Sequence, residues 1–169
     1  SNLVRYNPET GGSITQPENI NGNWNINAGL TFNTALDSTA HWNVGTDTRI
    51  RYNNFVSYVA QQQADAAKNT TRTTNFNERI SVGYRNDWLE VTLDGRLNYQ
   101  HSRNELQPSA DLDTWQFNYG GQFLIKLPDD FEISSELHER SRRGYNDSSM
   151  NTNELIWNGQ ISKPFLKSK

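Results

Sequence analysis

The sequence of 169 residues has no cysteine, a single methionine and only five prolines. Without cysteine there are no disulfides and no thiolate metal ligands, which suits an exported bacterial protein and a reduced cytosolic one alike. No apolar run comes near the ~20 residues of a membrane-spanning helix. No secretory signal opens the chain, so a signal, if the protein is exported, lies upstream of Ser1. Hydrophobic residues make up only 33% and the mean hydropathy is -0.89, below an ordinary globular chain. Disorder would give such values, but an aromatic share of 11% with five tryptophans opposes it. The net charge of -3, with both signs mixed along the chain, leaves no electrostatic footprint for nucleic acid. No nucleophile elbow, P-loop or dinucleotide fingerprint is present, so no enzyme is indicated.

What the sequence has is alternation. From Asn23 to Leu36, Trp24, Ile26, Ala28, Leu30, Phe32 and Leu36 take one parity; Asn23, Asn25, Asn27, Gly29, Thr31 and Asn33 take the other. A strand turns successive side chains to opposite faces, so this segment separates an oily surface from a wet one. Residues 1–22, rich in Asn, Gly, Pro and Ser, read as a loop or linker, and 23–169 as one β domain.

The first strand runs from about Asn23 to Asp37, and the turn Asp37-Ser38-Thr39-Ala40 leads to a second from His41 to Tyr58. The polar stretch Gln61 to Thr74 reads as a long loop in preference to a helical stub at Ala64–Lys68. Strand three (Asn75–Tyr84) and strand four (Trp88–His101) flank the turn Arg85-Asn86-Asp87. A loop with Pro108 precedes strand five (Thr114–Leu127), and Pro128-Asp129-Asp130 turns into strand six, which starts at Phe131. The polar segment Ser141–Asp147 reads as a loop before strand seven (Glu154–Phe165).

Tight turns thus alternate with long polar connections, the asymmetry of transmembrane barrels, whose short turns are periplasmic and long loops external. A barrel wall can also be this polar, because only every second residue meets lipid. Trp24, Tyr58, Phe76, Tyr99, Trp115 and Trp157 fall at long-loop strand ends; Trp42, Tyr84, Trp88, Phe131 and Phe165 fall at short-turn ends. Aromatic girdles at the two membrane interfaces take such positions. The expected fold is therefore all-β, an antiparallel up-and-down meander of about seven strands forming part of a transmembrane β-barrel.

The segments Pro17–Trp24, Tyr84-Arg85-Asn86-Asp87-Trp88, Leu97–Ser102 and Asp113-Thr114-Trp115-Gln116-Phe117 resemble the outer-membrane β-barrel region of Bacteroidetes TonB-dependent receptor-like proteins. Ser141-Arg142-Arg143-Gly144-Tyr145 and Asn153–Asn158 extend the resemblance over nearly the whole chain. The resemblance implies energised uptake of a bulky solute across the cell outer membrane. Its implied partners are outer-membrane lipid and the rest of the barrel and plug, with an outer-membrane lipoprotein or TonB as further candidates. An even strand number is expected of a complete bacterial barrel, so seven strands and the closing turn at Phe165–Lys169 read as a piece from near the C-terminal end of one.

The wet-face residues Asp47, Arg49, Arg51, Glu90, Asp94, Arg96, Lys126 and Glu132 are candidates to line a lumen; cross-strand charge pairing is the plainer account of each. The Ser141–Tyr145 segment is a candidate for an anionic ligand or partner lipoprotein, against a solvated loop. His41, His101 and His138 have no metal-ligand spacing, and no cofactor is expected. Asp129-Asp130 belongs to a turn, and Glu132/Glu136 to the wet face of a strand. Two other functions remain open: a soluble carbohydrate-binding β-sandwich using the aromatics as platforms, and a structural or assembly subunit of the outer membrane that transports nothing.

Overall fold

The computed structural model describes residues 2–62 and 64–163. They form nine strands and no α-helix: β1 (Asn2–Tyr6), β2 (Ser13–Pro17), β3 (Trp24–Ala35), β4 (Trp42–Gln61), β5 (Ala64–Arg85), β6 (Leu89–Asn104), β7 (Leu112–Lys126), β8 (Glu132–Arg143) and β9 (Asn153–Ser162). Strands β3 to β9 make one seven-stranded antiparallel meander in chain order, as expected. The sheet is not closed; within it β3 and β9 have one neighbour each.

Three short connections hold the lower edge, each by a device its sequence supplies. Asp37 accepts the backbone N–H of Trp42 at 2.9 Å and of His41 at 3.2 Å. Asn86 Oδ1 accepts the N–H groups of Trp88 and Leu89 at 3.0 and 2.8 Å. At Pro128-Asp129-Asp130 the two aspartates take positive φ, 63° and 61°, a conformation that Asp tolerates better than most residues.

Three segments that read as loops contain strand instead. Gln61 ends β4 and residues 64–74 belong to β5, and the two strands pair from Trp42↔Tyr84 up to Gln61↔Ala64. Above Asn54 the β3 partner ends, and above Thr71 the β6 partner ends, so the last seven residues of β4 rise as a two-stranded ribbon ~23 Å long. The β5 side of this ribbon, residues 64–70, carries no alternating apolar pattern, because the apolar face of the seven-stranded sheet does not extend to it. The N-terminal stretch contains the hairpin β1–β2, which packs on it: Tyr6 N–H donates to Asp65 Oδ1 at 2.8 Å, and Leu3 and Val56 are the two buried apolar residues among those described. Ser141, Arg142 and Arg143 also belong to a strand, the end of β8. The end of the last expected strand, at Phe165, and the turn expected to close the chain lie outside the described residues.

The row of facing residues Leu30, Thr48, Glu78, Leu97, Phe117, Ser141, Asn153 crosses all seven strands. It begins mid-way along β3 and ends on the first residue of β9, so neighbouring strands are progressively staggered. Closing a sheet into a barrel requires a stagger of this kind.

Candidate functional site

Register sorts the side chains into two surfaces. Trp24, Ile26, Leu30 and Phe32 of β3 share a face with Tyr52 and Ile50 of β4, Phe76, Ile80 and Val82 of β5, and Val91, Leu93 and Leu97 of β6. Phe117, Phe123 and Ile125 of β7, Ile133 and Leu137 of β8, and Leu155, Trp157 and Ile161 of β9 complete it. Nothing among the described residues covers this face. Leu30 is 68% exposed, Trp157 70% and Ile161 73%. The accessible surface is 12257 Å², whereas a folded monomer of 19.4 kDa is expected to expose ~8,500 Å². Among the described residues the seven strands form a single layer, with no second sheet or helix covering its oily side.

Aromatic rings gather in two bands on that face. Toward the long connections, Trp24 meets Tyr52 with ring centroids 5.1 Å apart, and Tyr99 meets Trp115 at 4.1 Å. Toward the short turns, Trp42 meets Tyr84 at 4.7 Å. Lys163 Nζ lies 4.2 Å from the centre of the Phe131 ring at the same lower end. From Trp42 to Tyr52, ten residues up β4, is ~33 Å along the strand, or about 25 Å of height at the ~40° tilt of barrel strands. Two of the rings expected at the upper band stand elsewhere. Tyr58 rides on the projecting ribbon, and Trp157 is the fifth of the ten residues of β9, where its indole N–H donates to Ser135 Oγ at 2.8 Å. Trp88, in the turn below β6, is 55% exposed.

The opposite face is polar. All eight expected wet-face residues share it: Asp47, Arg49 and Arg51 on β4, Glu90, Asp94 and Arg96 on β6, Lys126 on β7 and Glu132 on β8. Hollows open on this side, among them a groove of about 840 Å³ over β3 to β6. A second, of about 520 Å³, lies over β6 to β9. Lower down, the charges pair: Arg85 Nη2 to Glu90 Oε1 at 2.8 Å, Lys126 Nζ to the same oxygen at 3.7 Å, and His138 Nε2 to Glu136 Oε2 at 3.8 Å. Arg49 grips Asp47 through two nitrogens, at 2.9 and 3.2 Å.

Arg79, Arg140 and Arg142 stand on the same face without being among the expected wet-face residues. Arg142, expected in a loop as part of the Ser141–Tyr145 anion candidate, is on β8 instead, and Arg140 lies just before the stretch expected as loop. Arg79 is recoverable by counting outward from the turn at Asn86: Arg85 faces Glu90, and six residues further up each strand Arg79 faces Arg96. Asp47, Arg49, Arg51 and Arg96 border one groove, while Glu90, Lys126 and Glu132 sit near the short-turn edge. The three histidines lie on different strands or turns, and no group of three metal-ligating side chains occurs among the described residues. Compared with protein-family models, with curated proteins and with solved structures, the chain matches none.

Proposed function

We propose that this chain is wall of an outer-membrane β-barrel of the TonB-dependent receptor-like kind, in a protein that takes up a bulky solute. The observation that carries the reading is the bare face rich in Trp, Leu, Ile and Phe, interrupted by a few polar residues such as Thr48, Glu78 and Glu139, that no other layer among the described residues covers. Exposed apolar patches on soluble monomers rarely exceed a few hundred Å², whereas this one spans seven strands. In a bilayer the same face meets hydrocarbon, and about 25 Å between the aromatic bands is the height of the apolar band of such barrels. Lipid covers the oily face, the polar face lines a lumen, and the tall ribbon with its β1–β2 buttress stands outside the cell. The free edges of β3 and β9 join further strands, since an open edge cannot persist in hydrocarbon. No bond-making chemistry is assigned to the chain; wall, lumen lining and external loops are its contribution to transport.

Extraction and gel mobility test the reading. The native protein is expected to need detergent and to migrate faster unheated than boiled, as folded barrels do. A water-soluble monomer with no heat-dependent shift would overturn it and favour the carbohydrate-binding sandwich, in which a second sheet must cover Leu30 and Ile161.

A further inference from the structure

Antiparallel folding brings together, on the polar face, charges that the sequence keeps apart. Arg79 and Arg96 face each other across β5 and β6, in the row Asp47, Arg79, Arg96, Asn118, Arg140. The next row toward the long connections holds Arg49 and Arg142, and the one after that Arg51. Asp47 and Glu154 are the only carboxylates on the described strands in these three rows, and Asp47 is already engaged by Arg49. Toward the short turns the sign reverses, with Asp94, Glu90, Glu136 and Glu132 outnumbering Arg85 and Lys126.

The arginines differ in how they are satisfied. Arg51 Nε donates to Asn27 Oδ1 at 2.7 Å, and Arg140 Nε to Asn118 Oδ1 at 3.2 Å. Among the described residues the side chains of Arg79 and Arg96 have no hydrogen bond or ion pair, and Arg142 Nε is buried without an acceptor. Like charges directly opposite on paired strands destabilise the pair. Both side chains are exposed, and the one carboxylate opposite Arg79, Asp47, is held by Arg49, so the Arg79–Arg96 pair presents positive charge that an anionic group entering from solvent would neutralise.

The groove above this pair is lined by Arg49, Arg51, Arg79, Arg96, Asn77 and Asn98. Guanidinium forks match carboxylate, sulfate and phosphate oxygens in pairs, and carboxamides both donate to and accept from hydroxyls. In the seven-stranded part of this face no Phe, Tyr or Trp is present on the described strands, and the one imidazole, His138, lies outside the groove, so the stacking platforms used for single-stranded nucleic acid are lacking. We propose that the groove binds a polyanionic, hydroxyl-rich solute, an oligosaccharide bearing carboxylate, sulfate or phosphate groups, with Arg79 and Arg96 holding one anionic group between them. The inference rests on the uptake reading for the solute being transported, and on the groove alone for the anion being bound.

The test titrates the intact protein, in the detergent that keeps it folded, with oligogalacturonate and with a neutral malto-oligosaccharide of equal length. Dextran sulfate against dextran repeats the comparison for sulfate. Each anionic oligomer is expected to bind at least about tenfold tighter than its neutral counterpart and to weaken as salt screens the charges. Arg79→Gln with Arg96→Gln should lose about tenfold or more on the anionic oligomers and nothing on the neutral ones, while the paired Lys variants retain most of the binding. Arg96→Gln alone, which relieves the like-charge contact, serves if the double variant does not fold. Equal affinity for charged and neutral oligomers, or unchanged anion binding in the Gln variants, overturns the inference. So does absent binding together with a fall in the melting temperature of the Gln variants, which would place an acidic segment of the protein itself in the groove. Heat-modifiable mobility is read on the same sample. A water-soluble protein that still prefers oligogalacturonate keeps this inference and sinks the membrane reading.

Discussion

Thr48 donates its hydroxyl to Glu78 Oε2 at 2.5 Å across the β4–β5 pair, on the apolar face and in one row with Leu30 and Leu97. A carboxylate in that setting depends on its one partner. Thr48→Val should therefore destabilise the folded protein by about 1 kcal/mol, below the ~1.5–3 kcal/mol typical of bonds to charged groups because the pair is only half-buried. Adding Glu78→Leu removes the orphaned acceptor and should restore or exceed the parent stability, since replacing both partners by apolar groups is near neutral. Urea unfolding in lipid vesicles, followed by tryptophan fluorescence, completes the double-mutant cycle. A double variant weaker than Thr48→Val alone would argue that this face meets water.

Adjacent residues of β3 offer a sharper contrast between the faces. Leu30 belongs to the apolar surface, and Thr31, facing Asp47, to the polar one. If lipid covers the first, Leu30→Arg costs about 2–4 kcal/mol, the penalty of a basic residue near the bilayer midplane. Thr31→Arg changes stability by about 0.5 kcal/mol or less, since an arginine there gains Asp47 as a partner. Comparable losses at both positions, measured by the same unfolding assay, would remove the distinction on which the barrel reading stands.

The two faces were legible in the sequence because burial imposes period two. In β3 and β6 every odd–even assignment made from Trp24 to Phe32 and from Leu89 to Tyr99 agrees with the register. Asp37, Asn86 and Asp129 likewise announced their turns, since local side-chain bonds and tolerated positive φ carry the signal. The β5 side of the ribbon, from Ala64 to Thr70, is not legible in the sequence, because its strand character comes from the partner across the hairpin rather than from an oily face. Ser13–Pro17 was obscured in the same way by its Gly and Pro neighbours. The arginine cluster was hidden for a different reason. Charge is mixed along the chain, and only the folding back of β4, β5, β6 and β8 places Arg49, Arg79, Arg96 and Arg142 side by side.

Gly144, at the end of β8, has φ of +83°, and a Cβ there would run into the carbonyl oxygen of Asp113 on β7. Gly11, between β1 and β2, has φ of +68° with open space around it. Gly11→Ala should lose about 1 kcal/mol or slightly more, the conformational cost alone. Gly144→Ala adds a steric conflict with backbone that cannot give way, and its loss should exceed that of Gly11→Ala by about 1 kcal/mol or more. Unfolding midpoints of the two variants decide the matter. Equal losses would mean that the β7–β8 end relaxes freely.

The turn between β3 and β4 gives the protein a defined response to acid. The Asp37 carboxylate accepts the Thr39 hydroxyl first of all, then the Trp42 and His41 backbone N–H groups, with the His41 ring 3.5 Å away. These bonds hold its pKa below the ordinary aspartate value, despite some desolvation. Because the folded value is the lower one, the unfolded chain takes up a proton more readily, and the group stabilises the fold only when ionised. That contribution is complete above the ordinary aspartate value and is lost as the pH falls from there through the lower folded value. Asp37→Asn keeps the shape but not the charge. The melting temperature of the parent should therefore exceed that of Asp37→Asn near neutrality, and the gap should close on acidification through that window. Asp147, whose carboxylate accepts the Ser149 hydroxyl and N–H and is likewise held low, should behave alike in Asp147→Asn. A gap at Asp37 that stays constant into acid would show that its charge contributes nothing and that the turn is held by shape alone.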